Sequence, residues 1–185
     1  MSSSTERLLP SEYIPRIEKF LDKLATKEID EAKFVGFIEA LIRPALTKSS
    51  EDPELKATIE RQVKPLLGMK VWINAKNQNP VVIEIAPPSE LLKFYLSTEE
   101  EVKRRGLPGA SYDPLLLNDA LHGKFNPLLA LASGKIKITG LPELIKIGAP
   151  LVSALKPFKD NGSIMGELRR EILSSLDSLL EGARC

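Results

Sequence analysis

Cysteine, histidine and tryptophan each occur once in 185 residues, and aromatic side chains make up only 5% of the chain. The lone cysteine, Cys185, can close no internal disulfide, and it stands too late for a prenylation box, which needs cysteine fourth from the end. One cysteine and one histidine cannot build a zinc or iron site. A histidine-assisted nucleophile would have to use His122, and no GxSxG-type motif accompanies it. P-loop and GxGxxG phosphate fingerprints are absent. No apolar run approaches the roughly 20 residues of a spanning helix. The opening "MSSSTERLLPSEYIPR" lacks the basic-then-apolar order of a secretory signal, so a soluble, cytoplasmic protein is expected. An excess of one charge is missing too: 26 Lys and Arg face 25 Asp and Glu, which gives a nucleic acid nothing to follow. No metal, no cofactor and no catalytic residue are expected.

What remains is an apolar fraction of 43% with 28% charged residues, enough for one domain that buries about 70% of its unfolded surface. Ile14, Ile17, Leu21 and Leu24 share one helical face, and Phe34, Ile38, Leu41 and Ala45 share another. Two amphipathic helices are expected, the second capped by Asp30 and bent or ended by Pro44. Asp52 and Pro53 then open a third, which should stop between Pro65 and Gly68.

After Gly68 the period changes to two. In "MKVWINAK", Val71, Ile73 and Ala75 alternate with Lys70, Trp72 and Asn74. "NQNP" is a turn, and "VVIEIAPP" is a second strand closed by its prolines. "ELLKFYLS" fits a strand better than a helix, and "TEEEVKRRGLPGA" reads as an exposed insertion. Its Glu99, Glu100 and Glu101, followed by Lys103, Arg104 and Arg105, are a solvated charge run rather than a cation site. The basic cluster could also meet anionic headgroups. Trp72 is expected to pack beneath the amino-terminal helices.

Asp113 and Pro114 repeat the capping pattern of Asp52 and Pro53. His122 falls in the last turn of the helix they start, and Gly123 ends it. His122 is therefore a turn residue, not a base. Asn126 and Pro127 cap a short helix that Gly134 terminates, and "KIKIT" is a strand with Ile136 and Ile138 on one face. "LPELIKIGAPLVSALKPF" reads as a helix kinked or broken at Pro150 and buried on the sheet, and "DNG" as a turn. The last helix carries Ile164, Leu168, Ile172, Leu176 and Leu179 along one side.

The series Asp113, Leu116, Gly123, Lys124, Asn126, Pro127, Ala130, Ser133, Gly134, Lys135, Lys137, Ile138 and Gly140 resembles the pattern of the sterol carrier protein 2 family. The likeness extends over residues 50–158 and is closest in its last third. It implies an α+β fold, in which about five twisted strands are covered by helices with an apolar tunnel between them. It also implies non-enzymatic binding and transfer of a lipid: a fatty acid, a fatty acyl-CoA, a sterol or a phospholipid. On this basis residues 1–49 form an N-terminal helical extension, 50–158 the lipid-binding domain, and 159–185 a C-terminal amphipathic helix packed on it. The ending "ARC" departs from the peroxisomal "SKL" type that some members carry.

Val71, Ile73, Ile83, Ile85, Phe94, Ile136 and Ile138 are then the candidate tunnel floor. Leu116, Leu128, Leu144, Ile147 and Leu151 are its helical wall, and Leu168 and Ile172 a movable lid. The expected partners are a lipid and, transiently, a membrane surface. The competing readings are a closed fold whose outer helices form a homodimer or bind another protein, and an accessory domain that presents a lipid-like substrate to a separate enzyme.

Overall fold

The computed structural model describes residues 9–86, 92–159 and 162–185, with the backbone alone at 117–118, 151–159 and 162–163. The chain opens with helices α1 (Tyr13–Ala25), α2 (Ala32–Glu51) and α3 (Pro53–Val63), the last followed by a 3-10 turn at Lys64–Leu66. Strands β1 (Lys70–Ala75), β2 (Val81–Ile85) and β3 (Leu92–Leu96) follow, then α4 (Glu99–Arg104) and β4 (Gly109–Tyr112). The remainder is α5 (Pro114–Leu121), α6 (Pro127–Ala132), β5 (Ile136–Thr139), α7 (Leu141–Lys159) and α8 (Gly162–Gly182). This is an α+β fold.

The capping residues act as their positions require. Asp52 accepts hydrogen bonds from the amides of Glu54 (2.9 Å) and Leu55 (3.1 Å), Asp113 from Leu115 (3.0 Å), and Asn126 from Leu129 (3.2 Å). Asp30 likewise accepts from Ala32 at 2.8 Å.

The sheet order is β3-β2-β1-β4-β5, with β1 parallel to β4 and every other neighbouring pair antiparallel. Directly paired residues share a face. The register Val71 with Ile83, Ile83 with Phe94, Ile85 with Leu92, Ile73 with Ala110, and Ala110 with Ile138 therefore puts all seven candidate floor residues on one face. Helices α1, α2, α3 and α8 bury this face in one continuous core, in which Ile17, Phe20, Leu176, Leu180 and Val81 are fully enclosed.

Several expectations are corrected. The segment read as an exposed insertion holds α4 and the first half of β4, an inner strand whose four residues are fixed by pairing with β1 and β5 rather than by a hydrophobic pattern. Its charge run is exposed but ordered: Glu101 meets Arg104 and Arg105, each at 2.6 Å, and the hydrogen bond from Arg104 holds its carboxyl below the usual range. Helix α2 runs through Pro44 for seven more residues, because its buried seam against α8 outweighs the roughly 3 kcal/mol of an interior proline. Helix α7 likewise does not break at Pro150, and it packs chiefly on α3 and α8. Trp72 lies on the face away from the core, where Nε1 donates to the Leu107 carbonyl at 2.8 Å. The closure of β2 by Pro87 and Pro88 and the turn at Asp160 and Asn161 lie outside the described residues.

Ion pairs between helices lock the layer together. Tyr13 Oη and Arg16 of α1 both bond Asp177 of α8, at 2.9 and 2.8 Å. Lys48 of α2 reaches Glu167 (2.9 Å) and Glu171 (3.2 Å) of α8.

Candidate functional site

Helix α2 has two apolar edges. Phe34, Phe37, Ala40 and Pro44 are buried, while Ile38 and Leu41, one position round the helix, remain half-covered. These two residues face the sheet across a gap. The gap is a cavity of about 290 Å³, walled by Phe34, Phe37, Ile38 and Leu41 of α2. Its floor is Ile73 of β1, Ala110 and Tyr112 of β4, and Ile136 of β5, and its side is Leu116 and Ala120 of α5 with Phe125 of the following turn.

No polar atom is exposed to this void. Tyr112 contributes ring carbon, and burial pushes its phenol above the ordinary tyrosine value, so the group is neutral at physiological pH. The recess is open to the surface, so this apolar lining faces solvent wherever nothing covers it. Among the described residues that line it, none offers a carboxylate, an imidazole or a thiol.

The cavity is open to the surface, and Phe125, which lines it just before α6, is 43% exposed. At its far end α5 meets α1 through His122, whose Nε2 lies 2.7 Å from Glu18 Oε1 in an exposed contact. His122 therefore links the side wall to the helical layer, and Gly123, at φ 73°, turns the chain so that Phe125 reaches the cavity.

Of the candidate floor and wall, Ile73, Leu116 and Ile136 line the cavity. Val71, Ile83, Ile85 and Phe94 lie on the correct face but over the other half of the sheet. There Val71 and Ile85 join the core, and the Arg43 guanidinium covers the Phe94 ring at 5.5 Å. Ile138, on the edge strand, extends past the helices and is 38% exposed. Leu128 is 79% exposed, because α6 buries Ala130 instead. Leu144 is half-buried and Ile147 is packed in the core, both carried away from the cavity by the docking of α7 on α3. The Leu151 side chain lies outside the described residues. Leu168 and Ile172 are buried in the core on α8 and do not line the cavity.

The residues that sequence reasoning missed come from α2, assigned to an extension, from β4, of which only Gly109 and Ala110 fall in the segment read as an insertion, and from Ala120 and Phe125. The helical period of Phe34, Ile38 and Leu41 was a usable signal; nothing in "GASY" was. Phe125, an aromatic between a glycine and an Asn-Pro cap, was a second usable signal, since a turn gives such a side chain no core of its own.

A larger recess of about 350 Å³ lies between α3 and the end of β2. Glu60, Arg61 and Lys64 line it along with Ala57 and Leu67, and it borders the undescribed stretch after Ala86. It lacks the uniform apolar lining of the first. No model of a known protein family matches the chain, and no curated protein matches it significantly in sequence.

Proposed function

We propose that this chain is a non-enzymatic carrier that shelters the hydrocarbon tail of a single-chain lipid, a fatty acid or its acyl thioester, between α2 and the β1–β4–β5 half of the sheet. The observation that supports the reading is a carbon-lined recess of about 290 Å³, open to the surface and bordered by the exposed Phe125. At roughly 30 Å³ for a water-sized unit, and a methylene of similar bulk, it holds an acyl segment of about ten carbons. That favours one chain over a sterol or a two-chain phospholipid, which would demand a larger space. Burying about ten methylenes at about 0.8 kcal/mol each gives a gross term of about 8 kcal/mol. The costs of association reduce this to micromolar affinity or weaker, which suits a carrier that must also release. With no polar group inside, the headgroup stays at the mouth and selectivity follows chain length.

Pairing through the outer helices draws less support, since the apolar stripe of α8 is consumed against α2. The test is native mass spectrometry of delipidated protein offered a mixture of fatty acids, beside the variant Ala110→Phe, which places a ring in the void. Wild type should retain one fatty acid per chain, and the variant should fold equally well and retain none. Uptake by neither protein, or equal uptake by both, would defeat the proposal.

A further inference from the structure

Beside the cavity the chain exposes a run of large apolar side chains, the most exposed of them Leu128 at 79%. Helix α6, "PLLALA", carries no polar side chain, and Leu128, Leu129 (66% exposed) and Leu131 (43% exposed) all stand in solvent. Phe125 continues the patch back to the cavity it also lines. Lys124 and Lys135 share a small surface recess with Phe125 and Leu129, and both lysines are exposed. Asp119, in the same recess, lies 3.8 Å from Lys135 Nζ.

Resting on the carrier reading, we infer that α6 and the turn before it form a membrane-docking tip, which enters the headgroup region of an anionic bilayer with the cavity mouth facing the lipid. Three observations favour a bilayer over a protein partner. The tip is leucine-rich, with no side-chain donor or acceptor among the six residues of α6 to specify a protein surface. Its backbone is satisfied internally: Asn126 caps the first turn, and the Ala130 carbonyl accepts from Lys135, so entry into a water-poor layer leaves little unpaired. The lysines sit at the base of the apolar tip, where their stems reach anionic headgroups. Continuity from tip to cavity gives a tail a path that never crosses water.

Docking predicts cosedimentation of the delipidated wild type with vesicles of phosphatidylcholine containing phosphatidylserine, weaker with phosphatidylcholine alone and reduced by salt. Leu128→Asp with Leu129→Asp, at exposed positions, should weaken sedimentation by more than about tenfold. Lys124→Gln should weaken it about fivefold. Uptake of a monomeric fluorescent fatty acid from vesicle-free solution should be the same in all three proteins, and this arm judges the carrier reading alone. Wild type that stays in the supernatant with both vesicles, or sediments equally with both, overturns the inference. So does a concentration-dependent dimer lost in the double variant, which would make the patch a contact between two copies.

Discussion

The indole of Trp72 occupies the place where a side chain at Gly109, its partner on the parallel strand, would stand. A Cβ at Gly109 would overlap both the indole and the Trp72 carbonyl, while Trp72 Nε1 holds the Leu107 carbonyl and its amide the Pro108 carbonyl. The chain crossing from β3 is pinned to β1 in this way, and so is β4, which supplies Ala110 and Tyr112 to the cavity floor. Gly109→Ala should therefore cost at least about 1–3 kcal/mol, and it should impair lipid uptake because β4 shifts. Denaturant unfolding combined with the uptake assay checks this; an unchanged midpoint would mean that the contact yields easily.

Phe37 stands between the core and the cavity, stacked on Phe20 at 5.6 Å and near Phe34 at 6.2 Å. Phe37→Ala should lower stability by about 3–5 kcal/mol. The same change enlarges the void, so the retained fatty acids should shift to longer chains. Thermal unfolding and native mass spectrometry read the two effects separately.

Ile172, buried on α8, distinguishes a structural helix from a moving one. Ile172→Ala should destabilise the protein by about 2–5 kcal/mol while the rate of fatty acid release stays near that of wild type. A faster release at unchanged stability would restore the lid.

Lys48, 14% exposed in its side chain, gives a pH signature. Its hydrogen bond holds the Glu167 carboxyl below the ordinary glutamate range, and that bond, with those to Glu51 and Glu171, holds the ammonium above the ordinary lysine range. A depressed carboxylate adds stability that is present above its unfolded pKa and lost as pH falls through its folded one. A raised ammonium adds stability that is present below its unfolded pKa and lost as pH rises through its folded one. Both contributions are full between about pH 4.3 and about pH 10.4. The melting temperature of Lys48→Gln should therefore trail wild type by a constant margin across neutral pH, and the margin should close as pH falls below that window. Added salt should also narrow it.

Local chemistry was legible where a few adjacent residues decide it. Asp52 with Pro53, Asp113 with Pro114 and Asn126 with Pro127 each start the helix that their pattern indicates. The alternation of Val71 and Ile73, and of Ile136 and Ile138, set the strand face correctly. β4 was not legible, because Gly109 and Ala110 hold their places through neighbours on both sides rather than through side-chain hydrophobicity. Helix α2 was half legible: the period was plain, but a sequence does not say which of two adjacent apolar edges meets α8 and which meets the cavity.

Composition and spacing by themselves determined that this chain combines capped helices with strands that carry one apolar face, and that His122 ends a helix; the α+β arrangement was what the family resemblance implied. The local properties are set within one or two turns of chain by backbone geometry and capping bonds. Tertiary structure alone decided that α2 stands off from β1, β4 and β5 far enough to leave a void, and that the leucines of α6 face outward. The reason is that a filled core and a hollow one are written with the same residues; the distance between packed elements, which no local pattern encodes, separates them.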